Sequence, residues 1–267
     1  MLTQEIRLYS NFPIIEFKVN LNWQTPHKML KVAFPLNLYA EEATYNIPYG
    51  TIQRKIPTSF EADSTDRAKW EVSALRWIDY TDKEKNYGVS LLSESKYGFD
   101  VKDNIIRISL LRTPDYPDPL IMGLKSQPLQ IVDQGKHTFS YALYPHKANW
   151  KEANSMKKSY EFNYPLLSIT ESSRRGSLPK SFSFIKAHPE NIILEVIKKA
   201  EDSEAFILRL YETIGQKTRG EIHFSESPLE IWETDMMERE ISKLPTQGRL
   251  LKINFGAYEI KTLKVII

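Results

Sequence analysis

Cysteine is absent from the 267 residues, which excludes disulfide bridges, thiolate metal sites and a cysteine nucleophile. An excess of either charge is also missing: 36 Lys+Arg stand against 34 Asp+Glu, a formal net charge of +2. With both signs spread along the chain there is no strong positive field, so neither nucleic acid nor an anionic membrane surface is expected as a partner. Long apolar runs are missing, and none approaches a membrane span. Residues 1–20 carry Glu5, Arg7, Glu16 and Lys18 among their apolar positions, a pattern unlike a signal peptide. No Asn-x-Ser/Thr sequon occurs. A cytoplasmic chain is the expectation, consistent with the missing cysteines.

Self-contained catalytic motifs are absent as well. The sequence holds no HExxH, no G-x-S-x-G elbow, no Walker loop and no G-x-G-x-x-G. Its five histidines are His27, His137, His146, His188 and His223, and no two have the i, i+4 spacing of a helical zinc site. His137 and His146 bracket one strand pattern, but their odd separation points them to opposite faces. Paired carboxylates would mark a glycosidase, yet among 34 acidic residues no spacing singles out a pair. Neither a catalytic residue nor a metal ligand is assigned.

What the sequence does have is a period of two. Ile15, Phe17, Val19, Leu21 and Trp23 alternate with Glu16, Lys18, Asn20 and Asn22, which describes a half-buried strand. The same alternation recurs at Ile106, Ile108 and Leu110, at Phe139, Tyr141 and Leu143, at Phe206, Leu208 and Leu210, and at Leu251, Ile253 and Phe255. The end of the chain places Tyr258 and Ile260, then Leu263, Val265 and Ile267, on strand faces. Fourteen Tyr, twelve Phe and five Trp add strand formers, and fifteen Pro with ten Gly punctuate them. The fold class is all-β, with paired sheets burying these faces. Short helices are expected only within residues 64–74 and 150–160. The polar run SITESSRRGSLPK divides a large β-domain, residues 1–167, from a small one, residues 181–267, with 168–180 as linker. A single continuous sandwich with a long surface loop is the alternative.

Two loops carry mixed chemistry. SESKYGFD, residues 93–100, sets Lys96, Tyr97 and Asp100 around Gly98, where a turn with positive φ is expected. A cation, an aromatic platform and a carboxylate together suit sugar hydroxyls and ring faces. RTPDYPDP, residues 112–119, holds Asp115, Tyr116 and Asp118 on a chain stiffened by three prolines. Either loop could equally serve structure alone, as a capped hairpin and a rigid crossover. The histidine of YPH, residues 144–146, reads as a satisfied structural one.

These loops lie within longer stretches that resemble one family. KVAFPLNLYAEEATYNIPYGTIQR (31–54), YGVSLLSESKYGFDVKDNIIRISLLRTPDYPDP (87–119), GKHTFSYALYPH (135–146), ILEVIKKAEDSEAFILRLYET (193–213) and FGAYEIKTLKV (255–265) are similar, in order, to the C-terminal β-domains of family-38 glycoside hydrolases, the α-mannosidases. The resemblance implies a large β-sandwich of the supersandwich, galactose-mutarotase-like kind, followed by a smaller sandwich-like domain. It implies a retaining, zinc-dependent hydrolysis of α-mannosides in which nucleophile, acid/base and zinc ligands all belong to an α/β barrel that this sequence does not match. The expected role is non-catalytic: a scaffold packing on a catalytic barrel and lending substrate-facing loops, with Lys96, Tyr97, Asp100, Asp115, Tyr116 and Asp118 as candidates. No cofactor is expected in this chain, zinc being expected in the missing catalytic domain, and the isolated chain should be inactive. The family's large β-domain has further strands before the segment like residues 5–23, so an uncovered β edge and self-association through it are expected. The rival readings are a free-standing carbohydrate-binding sandwich with Tyr97 and Tyr116 as stacking platforms, and a folded remnant without a partner.

Overall fold

The computed structural model describes residues 1–116, 130–172, 175–177 and 179–267; Asp118 lies outside them. The chain divides into two compact units, Met1–Pro165 and Leu166–Ile267.

In the first unit a seven-stranded sheet runs in the order β1-β2-β13-β8-β7-β4-β5. These are Leu2–Leu8, Ile15–Trp23, Gly135–Lys147, Tyr87–Ser93, Trp77–Asp82, Glu42–Ile47 and Gly50–Lys55. Facing it is a four-stranded sheet of β3 (Met29–Pro35), β10 (Ile105–Arg112), β9 (Gly98–Lys102) and β6 (Val72–Ser73). A short ribbon pairs β11 (Asp115–Tyr116) with β12 (Gln130–Ile131). The alternating residues close the core between the sheets. Val19, Ile78, Tyr80, Leu91, Phe139 and Tyr141 from the larger sheet meet Phe99, Val101, Ile106 and Ile108 from the smaller in one buried cluster. Burying each such side chain is worth roughly 1.5–3 kcal/mol, the main force holding the sheets together.

Local chemistry fixes the register. β9 and β10 join through Asp103 and Asn104 alone, both at positive φ (53° and 58°). That is the two-residue hairpin turn whose strain Asp and Asn tolerate best. Residues 64–74 form only one helical turn, α1 (Ser64–Arg67), held by a capping box in which the Asp63 carboxylate accepts from the Asp66 amide at 2.8 Å. No apolar stripe carries the helix further, and the chain runs on through Trp70 and Glu71 into β6. The second helix, α2 (Ser155–Asn163), begins later than expected, after Asn154 at φ 57°. It covers the outer face of β7 and β8, where Trp150 packs on Trp77 at 5.1 Å between ring centroids. β1 is an edge strand that pairs only with β2 among the described residues, and its Leu2, Ile6 and Leu8 are exposed.

The second unit opposes a three-stranded sheet, β14 (Ile185–His188), β17 (Thr218–Phe224) and β20 (Leu250–Phe255), to a five-stranded one. The latter holds β15 (Ile192–Lys199), β16 (Phe206–Glu212), β21 (Ile260–Ile266), β18 (Glu230–Thr234) and β19 (Glu240–Lys243). Leu208, Leu210, Leu263 and Val265 meet Ile222, Leu251, Ile253 and Phe255 in its core. Phe206 keeps the expected face but is not covered. It starts β16 and stays exposed, while Ile207 is buried against Ala200 and Ala205. No helix among the described residues is long and apolar enough to cross a membrane.

Candidate functional site

The outward face of the four-stranded sheet carries the densest polar assembly of the first unit. Strand alternation sends Phe99 and Val101 into the core and Asp100 to the other face, as it does Ile106 and Ile108 against Arg107. Asp100 is nearly buried there. Its Oδ2 accepts from Lys31 of β3 and its Oδ1 from Nη1 of Arg107 at 2.8 Å. Lys31 also reaches Glu71 Oε2 at 2.9 Å, and the Ser109 hydroxyl donates to that same oxygen. Burial alone would lower the Lys31 pKa, but its hydrogen bonds to Asp100 and then Glu71 outweigh it and hold the ammonium above its ordinary value.

Gly98 explains how Glu71 comes to lie there. It opens β9 and is not at positive φ, which corrects the turn expected from the sequence. A Cβ at this position would stand 2.4 Å from Glu71 Oε1. The glycine thus leaves room for close approach of a carboxylate and does not serve backbone handedness. With Lys102, Met29 and an exposed Trp70, these groups line a cleft of about 650 Å³. The Lys102 ammonium sits 4.8 Å from the Trp70 ring centroid.

The six residues singled out in the sequence are dispersed. Asp100 floors the cleft. Lys96 turns away and lies 4.8 Å over the Phe139 ring; burial lowers its pKa, opposed by the carboxylate of Asp133. Tyr97 is exposed, and its carbonyl accepts from the Ala74 amide at 3.0 Å. Asp115 meets Nε2 of His27 at 2.8 Å, Tyr116 beside it is exposed, and Asp118 lies outside the described residues. No two of the six share a hydrogen bond or ion pair among the described residues. Reading the sequence missed Lys31, Glu71, Arg107 and Trp70. Arg107 was visible only as the polar partner in an alternating strand, and nothing in AKWE marks Trp70 as exposed.

One buried group looks at first like a hydrolytic triad. Under α2 and Trp150, His146 Nε2 contacts Asp79 Oδ2 at 2.8 Å and the Ser90 hydroxyl at 3.3 Å. A relay needs the carboxylate on one ring nitrogen and the hydroxyl on the other. Here both address Nε2, while Nδ1 faces the Lys147 carbonyl at 3.3 Å. The Ser90 hydroxyl is further engaged by Asp79 and Ser155, each at 2.7 Å. The network is a satisfied polar core and not a nucleophile. Among the described residues no three histidines or acids converge as metal ligands would. In the cleft, Asp100 accepts from a cation at each oxygen.

Comparison with known proteins gives the family. Residues 1–120 match the profile of the glycosyl hydrolases family 38 C-terminal domain, and residues 191–263 that of the family's C-terminal β-sandwich domain. The chain is 33% identical over 271 residues to alpha-mannosidase 2C1 of Homo sapiens, covering 100% of this chain and 24% of that protein. It is 34% identical over 273 residues to alpha-mannosidase G of Dictyostelium discoideum, covering 99% and 23% respectively. The chain thus spans about a quarter of the length of the curated relatives it matches. An alpha-mannosidase from Enterococcus faecalis V583 superposes with a TM-score of 0.78 over 98% of this chain and 28% of its own, at 17% identity. Two β units, matching the family's C-terminal domains in order, belong to glycosyl hydrolase family 38, as its C-terminal β-domain region.

Proposed function

We propose that this chain is the non-catalytic β-portion of an α-mannosidase, packing against a catalytic barrel and lending loops to a substrate held there. The observation that carries the reading is the coincidence of two facts. Both β units match the family's C-terminal domains, and the polar clusters of the described residues are internally satisfied instead of poised for bond chemistry. Retaining hydrolysis needs two carboxylates about 5–5.5 Å apart, one attacking and one protonating the leaving oxygen. On this reading the barrel supplies both, together with the zinc.

What this chain adds is position. Contacts remote from the reacting bond lower a barrier when they hold a sugar closer to its transition-state shape. Tyr97, Asp115 and Tyr116, on the β8–β9 connection and the β11 ribbon, are the described residues assigned to that task, with Lys96, Asp100 and Asp118 as the other candidates. The test is addition in trans. A family-38 barrel polypeptide expressed without its β-domains should co-purify with this chain and gain α-mannoside hydrolysis when the two are mixed. Tyr97→Ala or Tyr116→Ala should reduce kcat/KM by about tenfold without abolishing association. A barrel that neither binds the chain nor gains activity would contradict the proposal.

A further inference from the structure

We infer that the cleft beside Trp70 is itself a saccharide-binding site, able to hold a sugar without any catalytic barrel. The inference goes beyond the scaffold reading and does not depend on it. Four observations lead to it.

The first is Trp70, which is 74% exposed. A large flat apolar ring left in water at the rim of a cleft is the feature that most needs an occupant. Its ring is positioned by the Lys102 ammonium. The second is the floor. Lys31, Glu71, Asp100 and Arg107 pair with one another, so they present donors and acceptors side by side, within walls that also carry Arg67, Lys69, Lys102 and Asp103. Hydroxyl groups both donate and accept, and match such a floor. At the floor an anion would have to compete with Asp100 and Glu71 for Lys31 and Arg107.

The third observation is preorganisation. The floor comes from β3, β9, β10 and the segment entering β6, so binding requires no ordering of a loop. Gly98 extends the point, because its missing Cβ is what allows Glu71 to lie across β9. The fourth is size. About 650 Å³ is within the range of small-ligand sites and has room for a disaccharide. In such a site one pyranose ring stacks on the Trp70 indole, with its adjacent hydroxyls toward Asp100, Arg107 and Glu71.

The experiment is titration of the whole chain with α-linked mannobiose, maltose and cellobiose, followed by saturation-transfer NMR and tryptophan fluorescence. Saturable binding of at least one sugar in the millimolar range is expected, weakened about tenfold or more by Trp70→Ala and left unchanged by Leu229→Ala, which alters an exposed side chain of the second unit. Because Trp70 is exposed, its truncation should leave the unfolding transition in place, and urea unfolding of the same variant confirms that it is folded. Inorganic phosphate at equal concentration should not displace the sugar. No saturable binding of any of the three at about 20 mM, equal affinity in the Trp70→Ala variant, or displacement by phosphate would each overturn the inference.

Discussion

Glu212 offers the sharpest test of how the second unit is held together. It ends β16 fully buried, and both carboxylate oxygens are used. Oε1 accepts from the Ile214 amide at 2.8 Å and from Nδ2 of Asn191 at 3.0 Å. Oε2 accepts from the amides of Gly215 at 2.7 Å, Gln216 at 3.1 Å and Tyr258 at 3.0 Å. One side chain thus ties the loop before β17 to the turn before β21. The two segments are close enough that a Cβ on Gly215, whose φ is 74°, would stand 2.5 Å from the Tyr258 ring. Glu212→Ala strips the acceptor from four backbone N–H groups and an amide. At roughly 1–3 kcal/mol for each buried donor left unpaired, with some rehydration of the loop, the loss should be about 4 kcal/mol. That is a large share of a domain's usual margin of 5–15 kcal/mol. Burial alone would raise the Glu212 pKa, but the Tyr258 amide, Asn191 and the loop amides outweigh it and hold the pKa below the ordinary glutamate value. A group whose folded pKa is depressed stabilises fully above its unfolded pKa, and that contribution is lost as pH falls through the folded value. The gap between wild type and Glu212→Gln should therefore be constant near neutrality and shrink below about pH 4. Urea unfolding across that range, with hydrogen exchange at the Ile214, Gly215 and Gln216 amides, measures it. A loss under about 1 kcal/mol, or a gap that does not change with pH, would refute the reasoning.

Four other substitutions test the first unit. His146→Ala should cost about 3 kcal/mol in urea unfolding, because it leaves Asp79 with one partner fewer in a buried site, whereas Ser155→Ala, which removes one neutral hydrogen bond to Ser90, should cost about 1 kcal/mol. Gly98→Ala should cost about 1–2 kcal/mol, since the new Cβ must push Glu71 off β9 and off Lys31. Pairing it with Glu71→Ala should recover part of that loss, and the double-mutant cycle checks the coupling.

Much of the fold is legible in the sequence because a half-buried strand prints its period directly. Ile106, Ile108 and Leu110 are buried, and so are Leu251, Ile253 and Phe255. The period loses authority at strand ends, where Phe206 follows the pattern but faces water. It is also silent on how far a helix runs when no apolar stripe sustains it, as at α1. The cleft was only partly legible. Asp100 could be named from its loop, but its partners Lys31, Glu71 and Arg107 come from distant segments that sheet pairing brings together. Gly98 was noticed for the wrong reason. A glycine needed for a turn and one needed for close approach look identical until the neighbour that would clash with its Cβ, here Glu71, is known. The family resemblance, carried by stretches along the whole chain, supplied what no local pattern could.

The claim that this chain supplies support and no cutting chemistry is tested most directly by assaying the purified chain alone on an aryl α-mannoside with zinc added. The account predicts a rate indistinguishable from buffer. Saturable turnover that follows the chain through purification, and is abolished by substituting one of its own carboxylates, would contradict it.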